Sequence, residues 1–108
     1  MKHIKSTDFE SEVLRADVPV LVDFYTEHCQ PCRFMSPLIE EIEQESSGRL
    51  KVVKIDAASE PEFTASFRVT SVPTFFLFHE GQRVAQFTGA RGKKDLKRWI
   101  DESITQKA

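Results

Sequence analysis

Cysteine is scarce in this chain of 108 residues, and its two representatives, Cys29 and Cys32, stand only two residues apart. A bridge between them would close too small a loop to staple a fold, so the disulfide-framework class is excluded and redox or metal chemistry is left. Glycine and proline are also few, at four and five, which excludes a linker-rich or disordered chain. There is no excess of one charge. The formal net charge is -2 with Lys, Arg, Asp and Glu interspersed, leaving no basic stripe for phosphates and no acidic tail, so nucleic acid is not an expected partner. Long apolar runs are missing too. The opening MKHIKSTDFESEVLRAD lacks the roughly 7–15 apolar residues of a signal-peptide core, and no later run reaches membrane-spanning length. The expected compartment is the cytosol, with no membrane partner.

The residues that are present suit one compact domain over 1–108, since 40% are hydrophobic and 30% charged and the length can bury a core unaided. The chain is organised around Val20 to Glu45. A short apolar run, Val20 to Tyr25, breaks at Thr26-Glu27-His28 into Cys29-Gln30-Pro31-Cys32, and a helical pattern follows at once. The order strand, turn, two thiols, helix puts a cysteine pair where unsatisfied backbone N–H groups and the positive helix end favour a thiolate. Disulfide exchange is the chemistry this suggests.

Around that stretch, His3-Ile4-Lys5 reads as an edge strand, and Thr7 with Glu10 has the form of a capping box before a helix over Phe9 to Arg15. Both alternating sets of Val20 to Tyr25 are apolar except at Asp23, the pattern of a strand covered on both faces. The helix from Cys29 has Phe34, Met35, Leu38, Ile39 and Ile42 as its expected apolar side, carries Pro37 inside it, and closes at Gly48. Leu50 to Ile55 is the next strand and Pro61 to Phe67 a short helix. Thr74 to Phe78 and Val84 to Phe87 form a hairpin through His79-Glu80-Gly81-Gln82, and Lys93 to Ile104 is a last helix before a frayed tail, Thr105 to Ala108. Phe24, Phe67, Phe75 and Phe78 are assigned to the core. Parallel crossovers followed by a hairpin imply an α/β fold, a mixed sheet with helices on both faces.

With these residues in place, the sequence strongly resembles the thioredoxin family over nearly its whole length. The resemblance rests on an ordered set: the Val22-Asp23-Phe24 strand, Cys29-Gln30-Pro31-Cys32 followed by Arg33, the internal Pro37, Val72-Pro73-Thr74, and Thr88-Gly89-Ala90 before the last helix. It implies a thioredoxin fold, a central mixed five-stranded sheet in the order 1-3-2-4-5 flanked by four helices, with a cis peptide before Pro73. It also implies a protein-disulfide reductase with no bound cofactor. Electrons would come from NADPH through a flavoprotein thioredoxin reductase, the substrates would be disulfide-containing proteins, and the chain would act as a monomer.

On this reading Cys29, the more exposed thiol, attacks a partner's disulfide, and Cys32 resolves the mixed disulfide. Pro31 fits between them because its missing N–H falls in the first turn. Asp23 is either a solvated strand-end carboxylate or, as its apolar strand favours, a buried group with a raised pKa that takes the proton of Cys32, with Lys54 nearby. Val72, Pro73, Thr88, Gly89 and Ala90 have a packing role and form the shallow surface for a partner's extended backbone. The chain departs from the usual Trp-Cys-Gly-Pro-Cys at His28 and Gln30, and Tyr25 replaces a common tryptophan upstream. His28 is either a half-exposed replacement or a cation that stabilises the Cys29 thiolate; with Gln30, Pro31 and Pro73 it is assigned to redox tuning. Two other functions fit the same residues: an exported oxidase or isomerase, and a binding or scaffold module that uses the fold without turnover. Two thiols and a histidine also raise zinc, but a structural site normally needs four ligands and His28 adjoins Cys29 too closely to share an ion with it. No metal site is expected.

Overall fold

The computed structural model describes residues 1–107, with side chains through Thr105. Five strands, β1 (Lys2–His3), β2 (Val20–Tyr25), β3 (Lys51–Asp56), β4 (Thr74–His79) and β5 (Gln82–Thr88), form one sheet in the order β1-β3-β2-β4-β5. β1 and β2 run parallel to β3, and β4 runs antiparallel to β2 and β5. This is the mixed sheet and strand order of the thioredoxin fold, with four helical segments packed around it.

β2 lies at the centre because both of its faces are apolar. Val20, Val22 and Phe24 point to one layer, where they join Ile4, Phe9, Val13, Val53, Ile55, Phe76 and Phe78. Leu21 points to the other, with Met35, Ile39, Ile42, Val52, Phe75, Leu77, Leu96 and Ile100. The first layer is largely aromatic. Phe9 meets Phe63, Phe67 and Phe78 edge-to-face at centroid separations of 5.2, 5.4 and 5.4 Å, and Phe24 meets Phe76 at 5.7 Å, the geometry aromatic quadrupoles favour.

Three helices carry the usual α geometry: α1 (Gln30–Glu45), α2 (Pro61–Ser66) and α3 (Lys93–Lys107). The first helical segment differs from the expected helix over Phe9 to Arg15. It begins as a 3-10 turn at Ser6–Asp8 and passes into a π-helical turn at Glu10–Leu14, closed by the Arg15 N–H on the Glu10 carbonyl. The Thr7–Glu10 capping box does not form; the Asp8 carboxylate accepts from the Lys5 N–H at 3.0 Å, starting the segment two residues earlier. α3 continues through Lys107, past the expected end at Ile104, so Thr105 belongs to the helix, while Ala108 lies outside the described residues.

The β4–β5 hairpin turns on Glu80 and Gly81, both with positive φ (54° and 79°), as a tight two-residue turn matched to strand twist requires. α1 buries Cys32, Met35, Ile39 and Ile42, a stripe at helical spacing, and so Phe34, roughly 100° around the helix from Met35, is turned outward. That side chain is 57% exposed, which corrects its assignment to the apolar side; Leu38 is half-buried. Pro37 stands inside α1 and removes one backbone hydrogen bond from it.

The aromatic layer predicts a large packing effect. Phe24→Ala, at a fully buried position, is expected to lower unfolding free energy by about 3–5 kcal/mol in urea denaturation, the usual cost of emptying a phenylalanine site.

Candidate active site

β2 ends at Tyr25, and the short connection that follows delivers Cys29 to the N-cap position of α1. Cys29 has extended backbone geometry (φ -100°, ψ 113°), while Pro31 occupies the first turn, where a missing N–H costs nothing. Cys29 and Cys32 are joined as a disulfide with Cα atoms 5.2 Å apart. The backbone N–H of Cys32 donates to Cys29 Sγ at 3.2 Å, so the sulfur takes the place that a serine or aspartate oxygen fills in an ordinary N-cap. When the bridge is reduced, that N–H and the positive helix end favour negative charge on Cys29. Both cysteines are largely covered, Cys29 being 9% and Cys32 6% exposed.

On the other side of the disulfide, Cys29 Sγ lies 3.8 Å from the Val72 carbonyl oxygen, and the Val72–Pro73 peptide is cis. The loop after β5 is tied to the same place. The Gly89 N–H donates to the Pro73 carbonyl at 2.9 Å, and the Thr74 and Thr88 hydroxyls meet at 3.0 Å. Gly89 has φ +103° with open space around it, so glycine is required there by backbone conformation and not by crowding. These contacts bring Val72, Pro73, Thr88 and Gly89 together on the side of Cys29; Pro73 is buried there, Val72 and Gly89 are half-buried, and Thr88, Ala90, His28 and Gln30 are exposed.

Alternation along β2 places Asp23 on the face of Leu21, under α1. It is 2% exposed, is paired in register with Lys54 of β3 and Phe75 of β4, and has no hydrogen-bond partner for Oδ1. Burial pushes its pKa up from 3.8 to about 7, and the positive charge of Lys54 offsets part of the rise. The solvated reading of Asp23 is thereby excluded. Lys54 is itself buried, donating to Ser36 Oγ on α1 at 3.3 Å with its ammonium 4.6 Å from the centre of the Tyr25 ring. Ser36 was not among the residues expected here. Its signal was its spacing, four residues after Cys32 and so on the same helix face. Among the described residues no three His, Cys, Asp or Glu side chains converge as a metal site, and no helix is long and apolar enough to cross a membrane.

Together, the fold and a cysteine pair at a helix start define a thiol–disulfide oxidoreductase. A family model described as Thioredoxin matches residues 1–102. A thioredoxin of Rickettsia bellii is 38% identical over 102 residues, covering 94% of this chain and 97% of the relative. A thioredoxin of Mycobacterium tuberculosis is 42% identical over 103 residues, covering 94% and 89%. Thioredoxin 1 of a Nostoc species is 37% identical over 101 residues, covering 94% of each chain. The chain belongs to the thioredoxin family.

The burial of Asp23 has a pH signature. Between about pH 4 and 7 its carboxyl holds a proton more tightly in the folded chain than in the unfolded one, so stability falls as pH rises through that window and levels off above it. Asp23→Asn removes this penalty. In the disulfide form it is expected to raise unfolding free energy by about 2–4 kcal/mol at pH 8, with the gain vanishing toward pH 4, as measured by urea denaturation at each pH.

Proposed function

We propose that this protein is a reductant of disulfides in partner proteins, with residues 1–108 acting as one thioredoxin domain in the cytosol and as a monomer. The observation that carries the reading is Cys29 at the N-cap of α1, joined to Cys32 and accepting its backbone N–H. In the dithiol form, the Cys29 thiolate attacks one sulfur of the partner's disulfide. A bond forms between Cys29 and that sulfur, and the partner's other sulfur leaves as a thiolate that takes up a proton. Cys32 then gives its proton to the Asp23 carboxylate and attacks Cys29 Sγ. The Cys29–Cys32 disulfide forms and the partner's second thiolate is released, so the partner gains two electrons and the protein loses two.

Asp23 suits the role of base because its pKa of about 7 leaves it near half-ionised at neutral pH, able both to take a proton and to give it up. Lys54 sets the charge beside it. Reduction of the Cys29–Cys32 bridge is assigned to a flavoprotein thioredoxin reductase drawing on NADPH, the electron source that membership of the thioredoxin family implies. Partner backbone is expected to lie against Val72, Pro73, Thr88, Gly89 and Ala90, with the backbone of Val72 pairing in the manner of an added strand. His28, Gln30, Pro31 and Pro73 tune the redox balance, His28 by placing a cation near the Cys29 thiolate when it is protonated.

Four measurements test the reading. Cys29→Ser should abolish reduction of protein disulfides, whereas Cys32→Ser should trap partners as mixed disulfides on Cys29; an empty trap in cells would point to a scaffold instead. Asp23→Asn should slow resolution of the mixed disulfide at least about tenfold and flatten its pH dependence between pH 6 and 8, and an unchanged profile would remove Asp23 from the proposal. His28→Trp should make the couple more reducing by about 10–30 mV, and no change in potential would leave His28 as a surface replacement.

A further inference from the structure

Lys54 and Asp23 are register partners on adjacent parallel strands, both buried on the face under α1, yet their side chains do not satisfy each other. The ammonium donates to Ser36 Oγ at 3.3 Å and lies over the Tyr25 ring, while Asp23 Oδ1 is left without a hydrogen bond. A buried cation beside a buried, unpartnered carboxyl oxygen would ordinarily close on it, because charge-assisted hydrogen bonds are about twice as strong as neutral ones. Two things hold the lysine elsewhere. The ring is fixed at its far end by the 3.1 Å contact of the Tyr25 hydroxyl with His3 Nδ1, and the hydroxyl of Ser36 projects from α1 one turn beyond Cys32.

We infer that Ser36 is a positioning residue whose hydroxyl, with the Tyr25 ring, holds the Lys54 ammonium off the Asp23 carboxyl behind Cys32. The inference rests on Asp23 acting as the base for its relevance to turnover, but not for the geometry itself. The groups that act on Asp23 are few. β3 contributes Lys54, β2 contributes Tyr25, α1 contributes Cys32 once reduced and the neutral Ser36, and β4 contributes only Phe75 in register; Asp56, Glu27 and His3 reach the cluster through Tyr25. With the Ser36 oxygen removed, Lys54 loses its acceptor and turns to Asp23 Oδ1. The carboxylate then gains a charge-assisted partner and holds its proton less tightly.

The test is a carbon-13 NMR titration of the Asp23 carboxyl in the intact protein, alongside the pH profile of mixed-disulfide resolution. In Ser36→Ala the Asp23 midpoint should fall by about one pH unit, a tenfold loss of proton affinity, and Ser36→Thr, which keeps the hydroxyl, should return it to the wild-type value. An unchanged or raised midpoint in Ser36→Ala overturns the inference. The two readings separate cleanly. If the midpoint falls in Ser36→Ala while Asp23→Asn leaves the resolution profile unchanged, the positioning role stands and the base role of Asp23 falls. If Asp23→Asn flattens the profile but Ser36→Ala moves neither midpoint nor profile, Asp23 stands and Ser36 falls.

Discussion

The short bond from the Cys32 N–H to Cys29 Sγ is the interaction on which the site depends, because it makes a sulfur the cap of a helix. A cap must have extended geometry and the residues after it helical geometry, so one boundary in the backbone sets the separation of the two sulfurs and exposes the first of them to the helix's positive end. That boundary is held from behind. β2 is buried on both faces and runs almost directly into α1, and the sulfur of Cys29 rests against the carbonyl of Val72. Motion of the cap would have to disturb either the centre of the sheet or the loop before β4.

The same centrality explains the cost carried by Asp23. A carboxyl at the middle of the innermost strand lacks water and has one unsatisfied oxygen, and its pKa rises to about 7. Two packed phenylalanine-rich and aliphatic layers supply the stability that tolerates it. The group titrates near neutral pH under α1, and its setting involves three further side chains, Lys54 of β3, Ser36 of α1 and Tyr25 of β2.

The surface beside Cys29 differs in character from the interior. The Gly89 N–H on the Pro73 carbonyl and the paired hydroxyls of Thr74 and Thr88 tie the start of β4 to the end of β5 there. His28, Gln30 and Phe34 are exposed at the start of α1 and just before it.

Local pattern in the chain was enough for β2, α1 and the hairpin, because alternation, helical spacing and a Glu-Gly turn are written in consecutive residues. The ordered motifs were enough for the family and for the cysteine pair. Phe34 was misplaced because an apolar residue one step around a helix looks the same in sequence whether it is buried or exposed, and the choice is made by what packs against the helix. The irregular first helix was missed for a related reason: the Asp8 carboxylate takes the Lys5 N–H, so the segment starts two residues before Thr7, and Phe9 and Val13 are buried in the core that forms around it. Asp23 stood out as an exception in an apolar strand, but its lack of a partner depends on where Lys54 points, and that is settled by Ser36 and Tyr25. Ser36 and Lys54 lie 13 and 31 positions from Asp23, and Tyr25 lies 29 positions from Lys54. Short-range pattern thus reaches as far as residues that share an element, whereas contacts between elements, which set the charge and proton affinity of the site, exist only once the sheet and helices have closed around them.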